Sequence, residues 1–248
     1  MNKIYRQYQL AAKVVFLAAF FFTSNVQSSE FNVNPVRVYL DGRVRSGTVV
    51  VENKSDEILT IQTSINSWSQ ENGKEDLLVP TEDLIVSPPI FKVQPKSRQM
   101  VRVGHLKKPD ANLEGAYRLI LQEVPPPRKP GDTGMAVAIR MSLPIFITPT
   151  GVKTQAVLKW NAEAVDTKSF RLTFSNSGTA HIQINGIRAV LTDGTSLAEI
   201  PSMMIYVLPG QSHSIVMKTD KPWKRESLRV MITSDSSPPG VETEVKPE

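Results

Sequence analysis

Met135-Ala136-Val137-Ala138-Ile139-Arg140-Met141-Ser142-Leu143-Pro144-Ile145-Phe146-Ile147 is the stretch on which the reading of this chain turns. Every odd position from 135 to 147 is apolar, while Ala136, Ala138, Arg140 and Ser142 on the even positions are small or polar. Side chains alternate across a β-strand, so the segment predicts one strand with a continuous apolar ridge. Its thirteen residues far exceed the ~5–6 of an ordinary strand. One end of so long a strand can fill its own domain's core while the other serves something else. Just before it, Pro125-Pro126-Pro127-Arg128-Lys129-Pro130-Gly131-Asp132 reads as a mobile loop. An apolar strand beside such a loop is an aggregation hazard. It becomes useful if the strand is lent to another chain.

Outward from this segment, almost everything after residue 30 reads as short strands with turn signals every 8–12 residues, the pattern of β-sandwiches. A first unit has candidate strands at Phe31–Leu40, Ser46–Asn53, Leu59–Trp68, Arg98–Gly104, Ala116–Glu123 and Met135–Ile147. Asp41-Gly42, Asn53-Lys54-Ser55-Asp56 and Glu71-Asn72-Gly73-Lys74 supply turns, and Pro80, Pro88, Pro89 and Pro95 punctuate loops. After a hinge at Pro149-Thr150-Gly151, a second set follows: Gln155–Asn161, Ser169–Ser175, His181–Leu191, Met203–Val207, Ser212–Lys218 and Leu228–Thr233. Its turns are Asn176-Ser177-Gly178, Asp193-Gly194 and Pro209-Gly210. No amphipathic helix is expected. The fold class is all-β: two consecutive sandwich domains, 29–149 and 150–235, followed by a frayed polar tail at 236–248.

The amino terminus carries Lys3, Arg6 and Lys13 with no acid, then the apolar run Val14–Phe22, then Val26-Gln27-Ser28. That order describes a cleaved export signal over residues 1–28. Its apolar run is shorter than the ~20 residues of a bilayer-spanning helix. Loss of the three cations lowers the formal charge from +5 to +2, so the basic balance says little about nucleic acid. There is no cysteine, hence neither disulfides nor zinc-thiolate sites, and the apolar cores alone must hold the fold. His105, His181 and His213 lack ligand spacing and read as ordinary surface or loop residues. There is no Gly-x-Ser-x-Gly elbow, no His-x-x-x-His pair and no phosphate-binding loop. No catalytic residue, metal, cofactor or small-molecule substrate is expected.

Four blocks in order carry a family resemblance. They are Asn34-Pro35-Val36-Arg37-Val38-Tyr39-Leu40-Asp41-Gly42, Ser87–Pro95 followed by Gln99-Met100-Val101-Arg102-Val103, Tyr117–Pro126, and the long strand itself. Together they resemble the periplasmic chaperones of pilus (fimbrial) assembly by the chaperone-usher route. One block departs from the well-studied branch. Pro144 stands where that branch has a lysine, and Leu143-Pro144-Ile145-Phe146-Ile147-Thr148-Pro149 looks instead like the archaic or alternative branch.

The resemblance implies two immunoglobulin-like domains with a cleft between them, export to the periplasm, pilin subunits as clients and an outer-membrane usher as the receiving partner. Pilins lack their last strand, and the chaperone lays its own strand into the open groove. Met135, Val137, Ile139 and Met141 would fill the client's pockets, with Leu143 a further candidate. Leu143, Ile145 and Ile147 read rather as the chaperone's own core. A client's terminal carboxylate, costly to bury unpaired, would meet Arg37 and a second cation replacing the missing lysine. Arg118 is the first candidate for that cation, then Arg140 and Arg102. The alternative class is a structural pilin or adhesin, although an alternating strand in mid-chain argues against it. Self-association of the client-free protein is left open.

Overall fold

A computed structural model describes residues 30–71, 76–127, 137–219, 221–235 and 241–245. The export signal therefore lies outside the described residues, as do Met135 and Ala136. Every element among the described residues is a strand, arranged in four sheets that pair into two sandwiches.

The first sandwich contains β1 (Phe31–Asn34), β2 (Val38–Leu40), β3 (Ser46–Asn53), β4 (Leu59–Gln70), β5 (Asp76–Pro80), β6 (Leu84–Ser87), β7 (Ile90–Val93), β8 (Arg98–His105), β9 (Gly115–Glu123) and β10 (Arg140–Ile147). One sheet has the order β1-β3-β8-β6 and the other β2-β10-β9-β4-β5, with β7 also paired to β4. The sequence predicts one strand over Phe31–Leu40 and loops around Pro80, Pro88 and Pro89. The chain instead changes sheet at Pro35 and again at Pro88-Pro89. Proline has no N–H to leave unpaired at such a crossing, so prolines that signal a loop here mark a switch between sheets. Alternating residues, among them Val49, Val51, Ile61, Val101, Val103, Leu119, Leu121 and Ile145, fill the core between the sheets.

The second sandwich contains β11 (Leu158–Asp166), β12 (Ser169–Asn176), β13 (Ile182–Leu191), β14 (Ser196–Ile200), β15 (Ile205–Val207), β16 (Ser212–Lys218), β17 (Leu228–Ser234) and β18 (Val241–Val245). Its sheets run β11-β12-β16 and β14-β13-β17-β18, with β15 also on β13. The expected tail at 236–248 is thus corrected over 241–245: Val241 pairs with Ile232 and Val245 with Leu228. Val245 is buried in the second core, and its burial together with the ladder to β17 holds a segment whose composition is otherwise polar. Both sandwiches have the immunoglobulin-like architecture.

The two turn asparagines do the same work in each sandwich. Asn53 donates its amide to the carbonyls of Glu57 (2.7 Å) and Val93 (3.1 Å) and accepts from the Ser55 N–H (3.0 Å). Asn176 donates to Ala180 (2.7 Å) and Val207 (3.0 Å) and accepts from the N–H groups of Val157 (3.1 Å) and Gly178 (2.9 Å). Each buried side chain thus satisfies backbone groups around its turn. Next to Asn176, the linker presses on Gly178. A Cβ there would lie 2.6 Å from the Val157 nitrogen and closer still to the Gln155 carbonyl oxygen. Both neighbours are backbone and cannot swing aside. Gly178→Ala is expected to cost about 2 kcal/mol, read as a lower urea midpoint at unchanged slope. Wild-type stability in that variant would show the linker to be freely displaced.

The opening ridge is shorter as a strand than its sequence period suggests. β10 begins at Arg140, and Val137 and Ala138 precede it as exposed, irregular chain. Leu143, Ile145 and Ile147 enter the first core, whereas Ile139 and Met141 are half-buried against its margin. On the other face Phe146 is fully buried under the second sandwich. The strand's end is therefore covered on both sides, and its beginning is not.

Candidate functional site

Strand alternation sends one face of the β2-β10-β9-β4 sheet into the first core and the other toward the second sandwich. On that second face Trp68 of β4, Ala116 and Arg118 of β9 and Phe146 of β10 meet Tyr206 and Leu208. An amide clamp fixes the approach. Gln70 donates to the Tyr206 carbonyl (2.9 Å) and accepts from the Leu208 N–H (3.0 Å). A cleft is left beside this contact, and the charged groups gather there.

Arg37 stands just before β2, which runs parallel to β10 with Val38 opposite Ile145. Its guanidinium donates to the Tyr39 hydroxyl (2.9 Å), the Asp235 carboxylate (2.5 Å) and the Gln183 side-chain oxygen. Burial alone would lower its pKa, but the Tyr39 bond and the Asp235 charge raise it overall. Asp235 also accepts from the Gln183 N–H (2.8 Å). Burial would raise its pKa, yet His181, that N–H and Arg37 hold it below the usual carboxylate value.

Arg118 lies opposite Pro144 across the β9–β10 ladder. Its guanidinium stacks on the Trp68 ring at 3.6 Å and pairs with Asp76 at 3.3 Å. Burial pushes its pKa down, with Asp76 opposing, and it remains a cation at any physiological pH. Arg37 and Arg118 share the Tyr206 ring, at 5.6 and 5.4 Å from its centre. Among the described residues Pro144 has only β9 as a ladder neighbour, since β2 pairs with Ile145–Ile147 alone. From Arg140 to Pro144 that edge of the strand is therefore open among the described residues.

The structure brings Arg37 and Arg118 together and keeps the other two candidates apart. Arg140 is exposed opposite Gln122. It lies four residues from Pro144, about 13 Å along the strand. Arg102 is exposed on β8, in the opposite sheet, between Thr48 and Ser87, and is corrected as a cleft residue. Leu143 is also corrected as a pocket filler, because at 3% exposure it is committed to its own core. Ala138 is exposed. Of the ridge, Val137 stands free at 64% exposure. Ile139 is tied to the end of β9, where its N–H donates to the Glu123 carboxylate (3.0 Å) and its carbonyl accepts from the Glu123 N–H (2.9 Å).

Two histidines read as surface or loop residues have buried side chains. His105 bridges the carbonyls of Lys107 and Asp41, both at 2.9 Å. His181 lies in the cleft, stacked on Phe146 at 3.4 Å between ring centres and 2.5 Å from Glu114. Sequence reasoning missed His181, Asp235, Gln183, Tyr206 and Trp68. Each is an isolated polar or aromatic residue whose role depends on a neighbour from the other sandwich. The alternating run around Tyr206 was visible, but which domain surface it would face was not.

The comparisons agree with this architecture. The family described as "Pili and flagellar-assembly chaperone, PapD N-terminal domain" matches residues 30–153, half of the chain. The chain belongs to that family of assembly chaperones, which leaves the reading as a structural pilin or adhesin without support. It is similar to the chaperone protein LpfB of Salmonella typhimurium, 25% identical over 158 residues, covering 61% of this chain and 60% of that protein. It is likewise similar to the chaperone protein PapD of Escherichia coli, 20% identical over 156 residues, covering 62% and 63%. The chain thus matches about three fifths of the length of these curated relatives. A chain of the CsuC–CsuE chaperone–tip adhesion subunit pre-assembly complex, from archaic chaperone-usher Csu pili of Acinetobacter baumannii, has the same fold. Its TM-score is 0.66 at 17% identity, over 88% of this chain and 99% of that one.

Proposed function

We propose that this protein is a periplasmic chaperone of the chaperone-usher route. It binds pilin subunits by donor-strand complementation and delivers them to an outer-membrane usher. The observation that carries the reading is the placing of two cations, Arg37 and Arg118, around Tyr206 at the covered end of a strand whose other end is open. A client strand paired along Arg140–Pro144 would run toward that cleft and bring its terminal carboxylate to the arginines. Val137, with Met135 before it, would enter the client's groove, and Ile139 and Met141 would do so by turning from the margin of their own core. Domain boundaries at 29–149 and 150–235 and cleavage of the signal after residue 28 are part of the same proposal.

The test is co-expression of the full chain with a pilin subunit from the same genome in a bacterial periplasm. A stable one-to-one complex on size exclusion, with the pilin degraded when the chaperone is omitted, is expected. Equal pilin recovery with and without the chaperone would overturn the reading.

A further inference from the structure

Across the cleft the charges alternate in one chain. Glu114, just before β9, accepts from the His181 backbone N–H (2.9 Å) and ring Nδ1 (2.5 Å). His181 Nε2 lies 3.8 Å from the Asp235 carboxylate, and Asp235 meets Arg37 at 2.5 Å. Glu114 and Arg37 belong to the first sandwich, His181 and Asp235 to the second. The other titratable groups facing His181 are Tyr39 of β2 and Tyr206 of β15, at 6.3 and 5.9 Å between ring centres, while Phe146 of β10 brings no charge. Asp235 therefore occupies Arg37 with the same chemical group a client's terminus would present.

We propose that His181 is a positioning residue for client binding, setting through its proton and through Asp235 how much of the Arg37 charge is open to a client carboxylate. This rests on the reading of Arg37 as the carboxylate anchor. With His181 charged, Asp235 is shared between two cations and a second carboxylate can join Arg37. With His181 neutral, Glu114 and Asp235 face each other with one cation fewer, Asp235 draws on Arg37 alone, and an incoming carboxylate meets an added negative charge. Clients are thus held more tightly in acid than in base.

The direction of titration agrees. Burial alone would lower the His181 pKa, but its bonds to Asp235 and Glu114 hold it above the ordinary imidazole value. A folded pKa raised above the unfolded ~6.5 gives stabilisation that is complete below pH ~6.5 and lost as pH rises through the folded pKa. Melting temperature should fall over that upper window as the interdomain bond is released.

The experiment compares wild type with His181→Gln and His181→Arg from pH 5.5 to 8.5. The probe is a synthetic peptide copying the last strand of a pilin from the same genome, with either a free or an amidated terminus. In wild type the free-acid peptide should bind roughly fivefold more weakly at the upper end, the scale of one added charge at partly screened range. The amidated peptide should be insensitive. His181→Gln should bind weakly and His181→Arg tightly at every pH. An unchanged wild-type pH profile in His181→Gln overturns the proposal, as does a melting temperature that titrates while peptide affinity does not. Equal binding of acid and amide at all pH values would instead overturn the Arg37 anchor beneath it. If a variant fails to fold, the carboxyl carbon shift of Asp235 in the wild type serves. It should follow the His181 titration, and a flat shift overturns the proposal.

Discussion

Arg37→Ala is expected to fold and to lose its client. The guanidinium already binds a carboxylate, Asp235, so its geometry for that task is in place. Removing one partner of a desolvated charge pair costs about 2–3 kcal/mol in binding, or roughly 30- to 150-fold. The cost to the free protein is smaller. Asp235 keeps the Gln183 N–H and the nearby His181, so a loss of about 1 kcal/mol, some 2–4 °C in melting temperature, is expected. Arg118→Ala should weaken the same client, and the double variant should fall short of the sum by about 1 kcal/mol or more, because partners at one ligand couple. Periplasmic pilin yield and calorimetric affinity check both. Additive losses would assign Arg118 to its Trp68 and Asp76 contacts alone.

Val137→Asp should abolish pilin co-purification and leave melting within about 1 °C of wild type. The side chain is 64% exposed in the free protein, where a carboxylate costs almost nothing. In a client's apolar pocket the same group would be unpaired and its burial prohibitive. Leu143→Asp reverses the outcome, since at 3% exposure it puts a charge into the first core and should prevent folding. Ile139→Asp should show both effects, because Ile139 packs on the core margin beside the Glu123 carboxylate. A Val137→Asp protein that still recovers pilin would show that donation begins further along the ridge.

The two variants also separate what the alternating pattern could and could not say. A period of two identifies a strand and its apolar face from local sterics alone. It cannot say where along that face one domain's core ends, because Val137 and Leu143 are the same kind of residue at equivalent positions. That boundary depends on how far the opposite sheet reaches, which is a matter of packing. The same limit explains why no strand is expected around Pro80 and Pro88-Pro89, where β5, β6 and β7 form. Pro80 and Pro88-Pro89 look like breakers until a second sheet is present to receive the chain beyond them.

By itself the sequence determined the all-β class, the two-unit organisation, the turn asparagines Asn53 and Asn176 and the prominence of Arg37, all of which rest on local periodicity, turn chemistry or motif. Only the tertiary structure decided that Arg118 rather than Arg102 joins Arg37. Both are single arginines on strands with the same alternation. One faces the second sandwich and the other faces away on the opposite sheet, and which face a strand presents is set by its sheet neighbours. The structure alone likewise decided that His181 is buried between Glu114 and Asp235. A histidine's environment is made by residues 67 and 54 positions away in the chain, and no local pattern encodes contacts at that distance.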